Sequence, residues 1–470
     1  MKCRFAYLAS ALLLSAPASA QDAKAVIARA QAAMGNPATL QYTGTGMNAF
    51  FGQALTAGQE WPRRPLESMT AVVDYDRKAA TLGLVFKNPV FGGQRQNTFV
   101  NGDKAWNIGP NGPNPQLAAA EERQLQIWMT PHGFLRAASA GNPAVTSRTE
   151  GNSKVDVVSF TAMNKFKVLG TIDAQGLVTG VETIFPNPVL GDMPYSFRYS
   201  DYKDFSGVKF PSHIVQSGGG FAINDFVVTG VQTTLAADLK VPANVQTAIL
   251  PAVQVVSSKL AEGVWLLAGG SHHSVLVDFD TYVAVIEAPQ SEERSLAVIA
   301  EVKKLVPGKP IKYLISTHHH FDHAGGLRTY VAEGATIVTH VSNKPYWEKT
   351  FVAPAALVPD AQSKARKAPV IEAVGDKHVI TDGKKTLEVY NTVGDGHSHE
   401  LLVAYLPASK ILVEADSYSP GTPASATVPP DAAALYDNIQ RLKLDVGTVV
   451  GIHGRGAAPM TEFAAFVGKK

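Results

Sequence analysis

Six consecutive residues constrain this chain more than anything else in it: His318, His319, His320, Phe321, Asp322 and His323, which spell His-x-His-x-Asp-His. The run follows an apolar stretch at 311–317, short enough to be a buried strand, and precedes 327–333, whose pattern predicts a helix. A strand end opening into a helix start is a place where a fold can hold rigid ligands around an open site. Imidazole nitrogens with one carboxylate suit zinc better than hard, oxygen-seeking ions. Four candidate ligands in six residues exceed what one open catalytic zinc uses, so the spacing points to two metals. The plainer reading is a solvated histidine-rich turn, and partners further along the chain weigh against it.

The motif and its trailing Gly325-Gly326 resemble the metallo-β-lactamase-fold hydrolase superfamily, and that resemblance predicts three further positions in chain order. Gly396-His397-Ser398 is similar to the family's third histidine. The stretch 412–416 is similar to the strand ending in a bridging aspartate, here Asp416, and 449–454 to the segment carrying the last histidine, His453. The match runs from about Ala261 to the C-terminus. It implies an αββα sandwich over 259–470 holding two Zn²⁺ ions. His318, His320 and His397 would take the first metal, Asp322, His323 and His453 the second, and Asp416 would bridge them. Two zincs roughly 3.5–4 Å apart can share a hydroxide as the nucleophile. Asp322 is then also the catalytic residue that steers the nucleophile or relays its proton, while His319 is expected to point away. Iron or manganese stays open on ligand types alone. Family members that are true β-lactamases lack the aspartate, so Asp416 aligns the chain with the glyoxalase, lactonase, phosphodiesterase and sulfatase branches. A histidine rather than a glutamate at 320 argues against the di-iron oxygen-reducing branch.

Softer candidates surround this set. His272 and His273 follow Gly269-Gly270 in the first hairpin loop and are candidate substrate contacts. Arg455 is a candidate anion binder, and Tyr418 a candidate to polarise a carbonyl or stabilise an oxyanion. Trp347, with Tyr346 and Phe351, falls in the irregular stretch 341–369, a candidate lid. Each has a plainer alternative as a turn, surface or packing residue; His340, His378 and His399 read as supporting or surface groups.

At the N-terminus, Lys2 and Arg4 precede an apolar run that ends at Pro17, and Ala18-Ser19-Ala20 supplies a small-x-small pattern. Residues 1–20 therefore read as a secretory signal peptide cleaved after Ala20, too short for a membrane span. The single cysteine, Cys3, lies ahead of the apolar run and not at the cleavage point, so no lipid anchor is expected. The mature chain is expected to be periplasmic or secreted, with neither disulfides nor thiol chemistry. Without Lys2 and Arg4 the 42 basic residues fall to 40, equal to the 40 acidic ones. That balance gives no electrostatic case for nucleic acid or an anionic membrane surface.

A length of 470 residues with 45% hydrophobic content supports two domains. Residues 21–237 combine a helical pattern at 22–34 and another at 115–129 with many short strand signals. They predict an antiparallel β-rich domain, a half-barrel curved around a helix. The stretch 199–211 is similar to lipoprotein-carrier-like domains of the bacterial envelope. Two motifs here are decoys: Gly44-Thr45-Gly46-Met47-Asn48-Ala49 lacks the βαβ unit of a dinucleotide site, and Ser206 with Lys209 sits at a β-turn, not a helix start. This domain either binds an apolar ligand or shapes the active-site mouth or a dimer contact, the second being favoured; residues 238–258 are the linker. The whole chain then reads as a periplasmic or secreted binuclear zinc hydrolase of a small ester-like molecule, lactones and carboxylic esters favoured. A β-lactam hydrolase, a phospho- or sulfo-ester hydrolase and a non-enzymatic apolar-ligand binder are the alternatives, and a homo-oligomer stays open.

Overall fold

The computed structural model describes residues 20–90, 93–234, 237–423 and 427–469; Cys3 and the rest of the expected signal peptide up to residue 19 lie outside them. The first helix, Ala20–Met34, buries Ala23, Ile27, Ala30 and Met34, a stripe at three- and four-residue spacing. Gly35, at φ +82°, ends it by returning its N–H to the Gln31 carbonyl at 2.9 Å.

Thirteen strands then form one antiparallel sheet. Strand Thr39–Ala49 pairs on one side with Arg63–Asp74 and on the other with Phe221–Gln232, so the sheet's first and last strands meet at its middle. Gly44 and Gly46 sit at this junction. A Cβ on Gly44 would fall 2.0 Å from the Val227 carbonyl oxygen, and one on Gly46 2.1 Å from that of Asp225. The glycines let two backbones pass closely and form no phosphate loop. Ser206 lies at φ +56° in the turn between Gly191–Phe205 and Val208–Gly218, so it is a turn residue as expected.

The sheet curves around two helices where the sequence predicts one over 115–129. Ala120–Met129 is followed at once by Pro131–Ala140, which starts with proline behind a Thr130 cap whose side chain accepts from Gly133 N–H. Leu125, Met129, Phe134, Leu135 and Ala138 pack into the sheet's concave face against Val158, Phe166 and Val168. The space left between helix Ala120–Met129 and the sheet is about 80 Å³, well under the ~300–1,000 Å³ of ligand pockets. A wider open groove of about 1190 Å³ runs past the helix ends and neighbouring turns, lined by Asp76, Trp128 and Arg136 among others.

The expected linker holds a short helix, Ala243–Gln246, and its last residues already enter strand Val256–Ala261. That strand begins a seven-stranded sheet, antiparallel through Val283–Ile286 and parallel from there through Ile311–Ile315, Thr336–His340 and Val370–Val374. A six-stranded sheet follows, from Lys377–Thr381 to Ala457–Pro459. Val277, Ile286, Ile315, Leu387, Val413 and Val450 form the layer between the two sheets. Helices Glu292–Leu305 and Leu327–Glu333 cover the outer face of the first sheet, and Pro430–Arg441 and Met460–Phe466 that of the second. This is the expected αββα sandwich, behind a large antiparallel β-rich domain. Among the described residues no helix is long and apolar enough to cross a membrane.

Topology gathers the motif residues at one rim. Ile311–Ile315 ends just before His318. The parallel neighbours Ile411–Glu414 and Thr448–Gly451 end just before Asp416 and His453, and the antiparallel strand Leu402–Leu406 begins just after His397.

Candidate metal centre

The one-turn helix Phe321–Ala324, capped by the His320 backbone, carries Asp322 and His323 out of strand Ile311–Ile315. Gly325 and Gly326 follow because no side chain fits: a Cβ would fall 2.0 Å from the Gln290 carbonyl oxygen in one case and 1.8 Å from Ser295 Oγ in the other. The turn is thereby pressed against helix Glu292–Leu305.

Two histidine clusters result. In the first, ligand atoms of His318, His320 and His397 lie within 4.8 Å of one another, and His320 Nδ1 is 2.8 Å from His397 Nε2. In the second, His272, His323 and His453 meet within the same distance, with His453 Nε2 3.3 Å from His323 Nε2. Asp416 lies between them. Its Oδ2 is 3.3 Å from His318 Nε2, 3.5 Å from His397 Nε2 and 2.8 Å from His323 Nε2, and its Oδ1 is 2.9 Å from His453 Nε2. Its backbone is held at φ +66°, the left-handed region that a side chain rarely adopts. Asp322 stands at the edge, Oδ2 3.4 Å from His272 Nε2 and 4.0 Å from His323 Nε2.

Each imidazole's tautomer follows from what its far nitrogen touches. A carbonyl or carboxylate only accepts, so a ring nitrogen facing one carries a proton, and in a neutral ring the other nitrogen is the one free to bind a metal. His320 Nε2 donates to the Ala54 carbonyl at 2.9 Å, His323 Nδ1 to Glu287 Oε2 at 2.6 Å, and His453 Nδ1 to the Ser271 carbonyl at 3.2 Å. The opposite nitrogens, His320 Nδ1, His323 Nε2 and His453 Nε2, face the cluster, those of His323 and His453 at 2.8 and 2.9 Å from the Asp416 carboxylate. His318 Nδ1 meets Thr317 Oγ1 at 3.0 Å, while His318 Nε2 and Asp416 Oδ2 are fully buried without a hydrogen-bond partner. Two such buried atoms facing each other at 3.3 Å call for a cation. The donor set therefore fits metal ions of the nitrogen- and oxygen-binding kind.

Burial and neighbouring charge divide the donors. Burial, with His323 and His320 alongside, holds His318 well below the usual imidazole range, and burial brings His320 down to about 3. For Asp416 burial opposes the charge, but His323, His453 and His318 outweigh it and keep the carboxyl well below its ordinary value. His323 differs: burial opposes its charge, yet Asp416 and Glu287 push its pKa well above normal, so a metal ion there would displace a proton from Nε2. The side chains of His318 and His323 are sealed from solvent, whereas those of Asp322, His397 and His453 are 41%, 24% and 21% exposed. The centre has one open side.

His319 points away, its Nε2 on the Ala54 carbonyl at 2.8 Å. His272, a substrate-contact candidate, has its Nε2 inside the second cluster. His273 is a brace: its Nε2 bonds the Gly454 carbonyl at 2.9 Å, and its N–H the Ile452 carbonyl at 2.8 Å, fixing the loop of His453. Two candidates, Tyr418 and Trp347, lie elsewhere, and these expectations are corrected. The Tyr418 hydroxyl bonds Glu462 at 3.1 Å and its ring packs on Phe463 and Phe466, because the chain turns outward after Asp416. Arg455 pairs with the same Glu462. Trp347 is 1% exposed and stacks on Phe351 inside the core under the seven-stranded sheet, so 341–369 holds helices Lys344–Thr350 and Ala361–Ala365 and the tryptophan is no lid.

Sequence reasoning missed four residues. Glu287, fully buried at φ +72°, receives Thr317 N–H at 2.8 Å as well as His323. Its signal was a lone acid closing the apolar strand Val283–Ile286. Glu414, also fully buried, accepts the N–H groups of Ser417 and Tyr418 at 3.1 and 3.2 Å and shapes the Asp416 turn. Gln53 and Ala54 reach the centre from the N-terminal domain, which no local pattern could reveal.

Residues 267–450 match the family model described as the metallo-beta-lactamase superfamily. Solved structures similar to the chain include a metallo-beta-lactamase from Pontibacter korlensis, at 20% identity over 46% of this chain and 98% of that one, with a TM-score of 0.36. The DIM-1 metallo-beta-lactamase gives 18%, 46%, 97% and 0.34, and a metallo beta lactamase from Hirschia baltica 20%, 46%, 96% and 0.35. A comparison with curated proteins finds no match. On the family match and the sandwich that carries it, the C-terminal domain of this chain belongs to the metallo-β-lactamase superfamily.

Proposed function

We propose that the chain is a binuclear metal-dependent hydrolase that cleaves an ester-like bond, a lactone or other carboxylic ester being favoured. The observation that carries this reading is Asp416, whose two oxygens face histidines of both clusters within 2.8–3.5 Å. His318, His320 and His397 would hold one ion, and His323, His453 and Asp322 the other, with His272 as a further donor and Asp416 shared. Zinc suits these ligands, with iron or manganese as alternatives. When bound, such ions polarise a carbonyl and bring the pKa of water toward neutrality.

The protein's own groups do the rest. Asp322 is held ionised: burial opposes this, but His272 and His323 lower its pKa. Gln53 ties its Oδ1, leaving Oδ2 beside His272 to orient the attacking water and accept its proton. The water oxygen bonds to the acyl carbon, the acyl–oxygen bond breaks, and the proton returns to the leaving oxygen. His272, its pKa lowered by burial, lies 3.4 Å from Asp322 Oδ2 and helps to position it. Engagement of Arg455 by Glu462 favours a neutral ester over a phosphate or sulfate ester. The filled concave face of the N-terminal sheet favours a role at the active-site mouth over apolar-ligand binding. A periplasmic or secreted location is proposed on residues 1–20 alone.

The test is proton release by the metal-loaded mature chain on lactones, aryl esters, β-lactams, phosphodiesters and sulfate esters, with His318→Ala as the blank. Metal-dependent turnover of lactones or aryl esters is expected. Turnover confined to another class would overturn the substrate assignment, and turnover undiminished in His318→Ala would overturn the site.

A further inference from the structure

The loop at 50–62 joins two adjacent strands of the N-terminal sheet, Thr39–Ala49 and Arg63–Asp74, and it does not stay with that sheet. Five consecutive residues of it bond the histidine rim. The Gly52 carbonyl accepts Phe321 N–H at 3.2 Å, and Gln53 Nε2 donates to Asp322 Oδ1 at 2.7 Å. The Ala54 carbonyl accepts from both His319 and His320. The Leu55 carbonyl accepts His399 N–H at 3.0 Å, and Thr56 Oγ1 meets His399 Nδ1 at 3.1 Å.

The loop is also locked in place. Phe321, from the motif itself, packs edge-on between Phe51 at 5.5 Å and Trp61 at 6.3 Å. Gly52, at φ +79°, lies so close that a Cβ there would fall 2.7 Å from the Phe321 ring. At the loop's base Asn48 bonds Asn224 at 2.8 Å and receives Arg64.

The orienting partners divide unevenly between the domains. Thr317, Glu287 and the Ser271 carbonyl, all in the C-terminal domain, orient His318, His323 and His453. His320 and the outer oxygen of Asp322 take theirs from residues 53 and 54. Without the Ala54 carbonyl, nothing fixes the proton of His320 on Nε2, and its Nδ1 is no longer held as a bare ligand atom. Without Gln53, the half-exposed Asp322 carboxylate is free to turn toward water.

We propose that the 50–62 loop of the N-terminal domain is part of the metal centre, with Gln53 and the Ala54 carbonyl as the positioning groups of Asp322 and His320. This rests on the reading that the two clusters bind metal. Outer partners of this kind contribute roughly 10–100-fold to metal affinity.

The experiment titrates Co²⁺ into the metal-free full-length chain and follows the ligand-field spectrum and the two dissociation constants. Gln53→Ala and the isosteric Gln53→Glu, which replaces a donor by an acceptor, are compared with Asp192→Ala. Asp192 accepts from the N–H groups of Ala356 and Leu357 at 2.8 and 3.1 Å, a domain contact on other segments. Both Gln53 variants are expected to weaken one cobalt site by roughly 10–100-fold and alter its spectrum, while Asp192→Ala lowers thermal stability and leaves both sites intact. Wild-type spectra and affinities in folded Gln53→Glu overturn the proposal and leave the metal reading standing. A wild-type chain that takes up no cobalt overturns both.

Discussion

Replacing Glu287 by glutamine changes one atom at the base of the second cluster and tests the tautomer argument directly. Glu287 Oε1 accepts Thr317 N–H at 2.8 Å and Oε2 accepts His323 Nδ1–H at 2.6 Å, both fully buried. A glutamine keeps the first bond with its carbonyl oxygen and turns an amide N–H₂ toward His323. Two donors cannot face each other, so the imidazole moves its proton to Nε2, the atom that points at Asp416. The proton then stays on the one nitrogen that His323 can offer a metal. The opposite amide orientation sets N–H₂ against Thr317 N–H, an unmade buried hydrogen bond costing about 1–3 kcal/mol. Partner losses of this type lower metal affinity roughly 10–100-fold, or about 1.4–2.8 kcal/mol. Zinc competition against a chromophoric chelator on the full-length chain reads this as one weakened site of two. Circular dichroism of the metal-free variant checks that the fold persists. A folded Glu287→Gln chain that binds both ions as tightly as wild type would refute the reasoning.

Further outcomes are expected from the same geometry. Asp416→Ala removes the group facing both clusters, so metal content measured by mass spectrometry should drop at both sites together with activity; full occupancy and activity would end the bridging role. Trp347→Ala should destabilise the chain by about 3–5 kcal/mol, as for other buried large-to-small changes, with substrate preference unaltered. A shifted preference at unchanged melting temperature would restore the lid. His132 is buried on Phe210 with its Nε2 3.3 Å from the Met34 carbonyl, and burial lowers its pKa to about 4. The unfolded chain takes up this proton near pH 6.5 and the fold refuses it, so stability falls as pH drops from 6.5 toward 4, by about 3 kcal/mol in all. In His132→Gln that contribution is absent. The stability gap between wild type and variant in urea denaturation should therefore shift in the variant's favour by about 2–3 kcal/mol between pH 7 and 4.5, and a gap independent of pH would contradict the assignment.

The metal motif was legible because its constraints are local. His318, His320, Asp322 and His323 occupy one strand end and one helical turn, and spacing alone brings them together. His397, Asp416 and His453 were legible through resemblance, each beside a short apolar run that became a strand. Tyr418 shows where adjacency fails. It stands two residues past Asp416, yet the left-handed Asp416 backbone and the Glu414 carboxylate beneath it turn the chain so that the tyrosine joins Phe463. Trp347 failed for a related reason: an aromatic in a stretch of weak pattern can face core or solvent, and only the packing against Phe351 decides.

By itself, then, the sequence determined the layered C-terminal architecture, the antiparallel character of the first domain and the residues able to bind metal, because strand, helix and ligand preferences act over a few neighbouring residues. Which groups orient those ligands was decided only in three dimensions. Glu287 lies 36 positions before His323, and Ala54 lies 266 before His320. A hydrogen bond to a ligand's far nitrogen needs only a well-placed acceptor, and a backbone carbonyl leaves no mark in the sequence at all.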